Sequence, residues 1–470
     1  LPTPSPSKSF WHSEPSSFLL GHRTTADLPS SADVVIIGSG ITGASVARYL
    51  KEEEGAAGLS VVMLEAREAC WGATGRNGGH CQPIFLHQPP SIGRFELRNF
   101  HSVATYISTH AVPCEFRPRP SVRALHSSAL LAHARASVAD LRASAPDLAE
   151  HLAVVTDPER LKDYKLRSEV PDGDEAKWNP AKGAVVCDIA GSLWPYKLVA
   201  HILEACVTAG RLNLQTTTPV EKIERIADSG DMAGGPRYRV ITTHRGAIEA
   251  RHVVLATNGY TTHLLPELAD LIVPSRGQMS ALRATGGERL GNSYGFLGVG
   301  DPRDNDHPDY LIQRPVEGGG QMMLGGGYAG ATREYVGEVD DGVVDEGVAG
   351  YLTGMLGKVM TVAEGPLEAE YMWTGIMAYS RDGCPWVGAV PGMEGVWLSA
   401  GYTGHGMPNA TLCGKAVVDM LLAKERGSFD EPFVDTMVHA GDIPRQYVIS
   451  EERIERARHL PSVEVQNKEG

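Results

Sequence analysis

Asp33-Val34-Val35-Ile36-Ile37-Gly38-Ser39-Gly40-Ile41-Thr42-Gly43 is the stretch on which the reading of this chain turns. Ala32 to Ile37 is short, apolar, rich in β-branched residues and closed by glycines, which predicts a buried parallel strand. Thr42 to Glu53 has helical character, and Leu59 to Glu65 reads as a second strand. Strand, helix and strand in such quick succession form the repeating unit of a doubly wound sheet. In such a unit Gly38 permits the tight turn, Gly40 lets the backbone approach a pyrophosphate, and Gly43 lets helix and strand pack closely. Ile41 and Thr42 open the helix whose N-terminus faces the phosphate charge. Glu65, 22 positions after Gly43, is placed to hydrogen-bond both ribose hydroxyls of an adenosine and to repel a 2′-phosphate. The unit therefore predicts a dinucleotide other than NADP, without separating FAD from NAD.

The next segment makes that separation. Ala66-Arg67-Glu68-Ala69-Cys70-Trp71-Gly72-Ala73-Thr74-Gly75-Arg76-Asn77-Gly78-Gly79-His80 is rich in Gly and Ala, with Arg and Asn interspersed. A nicotinamide domain usually proceeds straight into another helix. The segment resembles the FAD-dependent oxidoreductase superfamily that contains D-amino-acid oxidase, glycine oxidase and sarcosine oxidase. Its Ala-Thr-Gly-Arg-Asn-Gly-Gly wording is most similar to the gamma-glutamylputrescine oxidoreductase branch. Two further blocks carry the same resemblance. Val253 to Tyr260, with Ala256, Thr257, Asn258 and Gly259 at its end, is similar to the family's third cofactor strand, and Val220 matches the position that meets the adenine. Trp373-Thr374-Gly375, Asp382-Gly383, Pro385 to Gly388 and Gly401-Tyr402-Thr403-Gly404-His405-Gly406-Met407 resemble the closing motif, whose glycine turn opens a helix beneath the flavin.

The resemblance implies non-covalent FAD and oxidation of the C–N bond of an amine or amino acid, with hydride passing to flavin N5 and O2 or another acceptor reoxidising it. Because the flavin does the difficult chemistry, no dedicated acid–base pair is required. The candidates for roles around the substrate are His80, His405, Tyr328, Trp373 and Arg314. His80 follows the flavin-contacting glycines, and His405 lies within the flavin turn. Tyr328, Trp373 and Tyr379 can form an aromatic cage for an ammonium group, and Arg314 can hold a carboxylate bidentately. Each also has a packing or ion-pair alternative. Arg276 and Gln278 resemble the crossover into the substrate domain, where domain-connecting hydrogen bonds are the expectation. Where the sarcosine-oxidase branch has a lysine that assists reaction with oxygen, this chain has Pro408 and Asn409. Where that branch tethers its flavin through a cysteine, it has Gly375 or its neighbours, with Cys384 several residues later.

The expected fold is α/β: a discontinuous Rossmann-type FAD-binding domain with an inserted α+β substrate domain on a mixed or antiparallel sheet. The expected boundaries are 31–115, 183–275 and 370–430 for the cofactor domain, and 116–182 and 276–369 for the substrate domain. Extensions of 1–30 and 431–470 flank them. The 470 residues, 42% hydrophobic, suffice for two such domains. A net charge of −14 without any basic run argues against nucleic acid, and no apolar run is long enough to span a bilayer. The seven cysteines are odd in number and lack a CxxC pair, so they read as free thiols rather than zinc or iron–sulfur ligands. Leu1 to Ser31 lacks the apolar core of a signal peptide, and the cytoplasm is the expected compartment. A second class of function, a flavin-binding assembly or scaffold protein without turnover, is separated from the enzyme by whether an aromatic-lined cavity stays open beside the flavin. An amine dehydrogenase using another acceptor, or an NAD enzyme, are the remaining readings.

Overall fold

Val34 and Ile36 of the first strand, β1 (Ser31–Ile37), enter one apolar core, while Val35 and Ile37 enter another. That alternation is what a strand covered on both faces requires. In the computed structural model, which describes residues 1–169, 179–226, 237–284, 289–299, 308–332 and 335–463, β1 lies at the centre of the first sheet. Parts of the expected substrate domain, and residues 464–470, fall outside these ranges.

β1 pairs in parallel with β2 (Val61–Leu64) on one side and with Ala247–Leu255 on the other. Asn213–Gln215 and Val396–Ala400 extend the parallel array at its two edges. The antiparallel pair Val220–Arg225 and Tyr238–Thr242 joins the N-terminal half of Ala247–Leu255. Helix α1 (Ile41–Glu52) packs on one face together with Pro195–Thr208 and Ala410–Glu425. The predicted elements of the nucleotide unit are thus present within a few residues of their expected ends.

A second sheet of eight strands runs in the order Ala369–Ser380, Ile272–Leu282, Met322–Gly326, Asp309–Gln313, Ser293–Leu297, Ser121–Leu125, Gly183–Cys187 and Leu152–Val155. It is antiparallel except where Ser293–Leu297 meets Ser121–Leu125. Two stretches expected in the cofactor domain, Gly183–Cys187 and most of Ala369–Ser380, hydrogen-bond into this sheet instead. Local hydrophobicity carries no label for the sheet a strand will join, because pairing is decided by partners far away in sequence.

The two flanking segments are integral to the molecule. Ser7, Ser9 and Trp11 hydrogen-bond to Arg76, Gly75 and Asn77. At the other end, Arg453 is buried against Asp382 at 2.8 and 2.9 Å. All seven cysteines are free. Among the described residues, no helix is long and apolar enough to cross a membrane.

Candidate active site

The glycine loop is built so tightly that only glycine fits at two of its positions. A Cβ on Gly43 would lie 2.0 Å from the carbonyl oxygen of Gly38, and one on Gly38, whose φ is +102°, would lie 2.6 Å from that of Ala256. Both obstacles are backbone and cannot rotate away. Gly40 precedes α1 without a capping side chain of its own, and Gly40, Ile41 and Thr42 bring the start of the helix to the cavity wall, where an anion is favoured. Ile41 N–H donates to Thr74 Oγ1 at 3.0 Å, tying the loop to the second glycine-rich segment. The Glu65 carboxylate is held in place by the Ser39 N–H (3.0 Å) and hydroxyl (2.5 Å) and by the Arg67 N–H (2.9 Å).

From this loop a cavity of about 800 Å³ extends across the interface of the two sheets, within the size range of cofactor and ligand sites. Of the residues expected at the cofactor, all line the cavity except Gly43 and Gly79. Those two act beneath it, Gly79 because a Cβ there would meet the Leu193 carbonyl at 2.7 Å. Asn258 also reaches the closing turn, its Oδ1 accepting from Gly401 N–H at 3.2 Å.

The guanidinium groups of Arg67 and Arg76 are committed to a partner the sequence did not reveal. Both close on Asp341, a buried carboxylate from the substrate-domain side, at 2.9 and 3.2 Å. Burial works against the charge of Arg67, but Asp341 outweighs it and raises the pKa. For Arg76 burial wins, lowering it to about 10 despite Asp341. Arg76 Nη1 nevertheless stays buried without a hydrogen-bond partner. An orphaned donor on a lining residue, a helix start at the cavity wall and a glycine cradle together fit a dinucleotide pyrophosphate.

The turn Gly401–Asn409 leads into Ala410–Glu425, with left-handed backbone at Gly401, Thr403 and Gly404. Helix α2 (Pro90–Thr109) pins this turn through two polar residues one helical turn apart. Asn99 donates to the Met407 carbonyl at 3.0 Å and accepts from Leu412 N–H at 2.9 Å. Glu96, only 1% exposed, accepts from Ile84 N–H (2.7 Å) and Asn409 Nδ2 (2.9 Å), and lies 3.4 Å from His405 Nε2. Asn409 in turn accepts from the Tyr447 hydroxyl at 2.9 Å. The signal available in the sequence was an acid and an amide spaced i, i+3 on the apolar face of a helix.

The remaining candidates divide. His80 lines the cavity, its ring edge-on to Tyr310 at 5.5 Å, and burial pushes its pKa down to about 4, so the imidazole is neutral near pH 7. Tyr328 and Tyr379 line the cavity with their hydroxyls 3.4 Å apart. Trp373 does not line it. The ring is fully buried, and Nε1 donates to the Arg76 carbonyl at 2.7 Å, so the residue supports the cofactor segment from behind. Arg314 is also elsewhere: it grips Glu115 at 2.7 and 3.1 Å and stacks over Phe10 and Trp194. A paired and buried guanidinium is not free to bind substrate. Arg276 and Gln278 hold the loop at 338–345 through Glu338, the Asp340 carbonyl and the backbone of Asp345, contacts that lie within the expected substrate domain. Tyr310, Gln82 and Arg123 also line the chamber and were not singled out from the sequence. Each stands alone in a strand or loop with no motif around it.

Comparison with known proteins agrees with this geometry. The chain is similar to gamma-glutamylputrescine oxidoreductase of Escherichia coli (strain K12), with 22% identity over 413 residues, 83% of this chain and 84% of that protein. Glycine oxidase of Pseudomonas aeruginosa is 25% identical over 234 residues, 49% of this chain and 56% of that protein. Among solved structures, glycine oxidase from Geobacillus kaustophilus superposes with a TM-score of 0.66 at 18% identity, covering 86% of this chain and 98% of that one. L-proline dehydrogenase from P. horikoshii gives 0.65 at 18% identity, covering 86% and 96%. The profile of the family described as DAO, FAD dependent oxidoreductase, matches residues 33–420. With that match spanning the glycine loop, both sheets and the closing turn, the chain belongs to the FAD-dependent oxidoreductase family, and its cofactor is FAD.

Proposed function

We propose that this protein oxidises the C–N bond of an amine or amino acid, with non-covalently held FAD as the immediate electron acceptor and O2 as the final one. The observation that carries the reading is the continuity of the cavity from the dinucleotide loop into a chamber walled by Tyr310, Tyr328 and Tyr379 beside a neutral His80. A dinucleotide along the loop leaves that chamber for a second molecule, which favours an enzyme over a scaffold. The names of the relatives, gamma-glutamylputrescine oxidoreductase and glycine oxidase, are of the same chemical class.

In this reading the flavin, when bound, supplies the two-electron acceptor. The start of α1 and the Gly38–Gly43 loop hold the pyrophosphate, and Glu65 orients the ribose. The turn before Ala410–Glu425, pinned by Glu96 and Asn99, would present its backbone to the flavin end of the cofactor. The Tyr328–Tyr379 wall attracts an incoming ammonium group. Electrons leave the nitrogen's neighbouring carbon only once that amine is neutral, and an uncharged His80 does not oppose its positive precursor. Among the described lining residues there is no lysine, and Pro408 and Asn409 follow the flavin turn, so an amine dehydrogenase with another acceptor is the second reading. The Cys384 thiol, pushed up to about 11 by burial, is a poor nucleophile for a flavin tether. Free thiols throughout suit a reducing compartment such as the cytoplasm.

The test is anaerobic mixing of the purified yellow protein with a panel of amines and amino acids. Bleaching of the visible flavin band by one of them, reversed by air, is the expected result; bleaching that air does not reverse selects the dehydrogenase. A flavin that no panel member reduces refutes turnover of this substrate class.

A further inference from the structure

An amine reaches the cavity as an ammonium ion, and its proton must find an acceptor before electrons can leave the adjoining carbon. Among the described residues, four imidazoles line the cavity: His80, His87, His263 and His405. Burial lowers the pKa of His80 to about 4, so that ring is a poor acceptor near pH 7. His87 is exposed, and His263 stands against the backbone of Glu221 and Val220, the position matched to the adenine. His405 differs from all three in having a buried carboxylate behind it.

That carboxylate belongs to Glu96, on α2 and 1% exposed. Its Oε2 accepts from Ile84 N–H at 2.7 Å and its Oε1 from Asn409 Nδ2 at 2.9 Å. The Tyr447 hydroxyl donates to Asn409 Oδ1 at 2.9 Å, which fixes the amide with its N–H groups toward Glu96. A carboxylate offers about four acceptor sites, so a third donor is accommodated. His405 Nε2 is buried, closes no hydrogen bond and stands 3.4 Å from Glu96 Oε2, at ion-pair distance. Contacts of this length tighten when substrate binds at a catalytic site. With Nε2–H directed at Glu96, Nδ1 carries the lone pair, and 30% of the side chain is exposed to the cavity.

The other titratable groups acting on the pair do not compete for the proton. Burial raises the thiols of Cys81 to about 12 and Cys384 to about 11, and it raises Cys413, Tyr402 and Tyr447 as well. Arg123, on the second sheet, acts on Glu96 through space and remains a cation. His80 and His405 act on each other, and the weak basicity of His80 keeps a second positive charge away from the ring.

We propose that His405 accepts the proton of the substrate's ammonium group, with Glu96 as the positioning residue that fixes its tautomer and balances the charge it acquires. The ammonium N–H bond breaks, its electron pair stays on nitrogen, and the proton bonds to Nδ1. Oxidation of the neutral amine follows, and the imidazolium later gives its proton to water through the exposed part of the ring. The assignment rests on the reading of the protein as an amine or amino-acid oxidoreductase.

The experiment measures anaerobic bleaching of the FAD-loaded protein by glycine, L-proline, putrescine and benzylamine between about pH 6 and pH 10. For any member that bleaches the wild type, His405→Ala is expected to lower the limiting rate about tenfold or more near pH 7, with little change in the concentration giving half that rate. The two rates converge near pH 10, where the amine itself is largely neutral, and added imidazole restores the variant near pH 7. Glu96→Gln slows the same step. A second measurement needs no substrate: the visible band of the oxidised flavin is followed with pH. A transition in the wild type is expected to vanish in His405→Ala and to move to lower pH in Glu96→Gln, because the carboxylate favours the protonated ring. Equal rates in His405→Ala, a deficit that persists at pH 10 and resists imidazole, a flavin band without that transition, or loss of FAD from His405→Ala each overturn the proposal. Failure of every panel member to bleach the wild type refutes the oxidation and the base together, whereas normal bleaching in His405→Ala refutes the base alone.

Discussion

Asp341 is the residue whose loss the structure predicts most sharply. Its side chain is about 1% exposed, and it receives contacts from two guanidiniums, Arg67 at 2.9 Å and Arg76 at 3.2 Å. Asp341→Asn keeps the shape and removes the charge, leaving two buried cations facing one another. Breaking a buried ion pair from one side costs about 3–5 kcal/mol, and the presence of a second cation puts this site at the upper end. With a urea dependence of ~3 kcal/mol per molar, the unfolding midpoint falls by roughly 1.3 to 1.7 M. Asp147→Asn is the control. Asp147 accepts two hydrogen bonds from Arg94 at 2.8 Å, but both side chains are about half exposed, so its loss is worth less than about 1 kcal/mol. Urea titrations followed by circular dichroism, at a fixed excess of FAD, measure both. Because Arg76 belongs to the cofactor segment, Asp341→Asn also weakens FAD binding, read by flavin fluorescence. The reasoning fails if Asp341→Asn unfolds within about 1 kcal/mol of the wild type, or if Asp147→Asn costs as much.

Gly43→Ala places its Cβ 2.0 Å from a backbone oxygen and is expected to yield protein without visible flavin colour. Gly58→Ala, with nothing within 4 Å, retains it. Removal of residues 1–12 takes away the hydrogen bonds from Ser7, Ser9 and Trp11 to the 75–77 segment and is expected to raise the FAD dissociation constant at least tenfold; an unchanged constant would show that this strap does not hold the cofactor segment. His126 is buried and its pKa is lowered to about 4, burial being the main cause. Its unfolded form takes up a proton near pH 6.5 and its native form only near pH 4, so its contribution is intact above pH 6.5 and is lost as pH falls through that window. Between pH 7 and 5 this amounts to roughly 2 kcal/mol, and His126→Asn should flatten the pH dependence of the urea midpoint by that amount; an unchanged profile would assign the acid sensitivity to other groups.

The amino-acid sequence by itself determined the dinucleotide unit, the acid that follows its second strand, the glycine-rich segment after it and the closing turn. Those features work through backbone geometry contiguous along the chain: a glycine that must lack a Cβ, a helix start, a residue ending a strand. A local reading captures them because local sterics produce them. Only the tertiary structure decided which side chains share the chamber. Trp373 and Arg314 are the residue types a substrate cage needs, yet packing turns both into the protein, against the Arg76 carbonyl and Glu115. Arg123, Tyr310 and Glu96 have no motif to announce them. They meet the cavity because strand alternation, sheet order and the docking of α2 bring positions far apart in sequence to one wall. The commitment of Arg67 and Arg76 to Asp341, some 270 residues away, is of the same kind. Whether a charge is paired or available depends on which distant partners folding delivers to it, and that is a property of the packed structure.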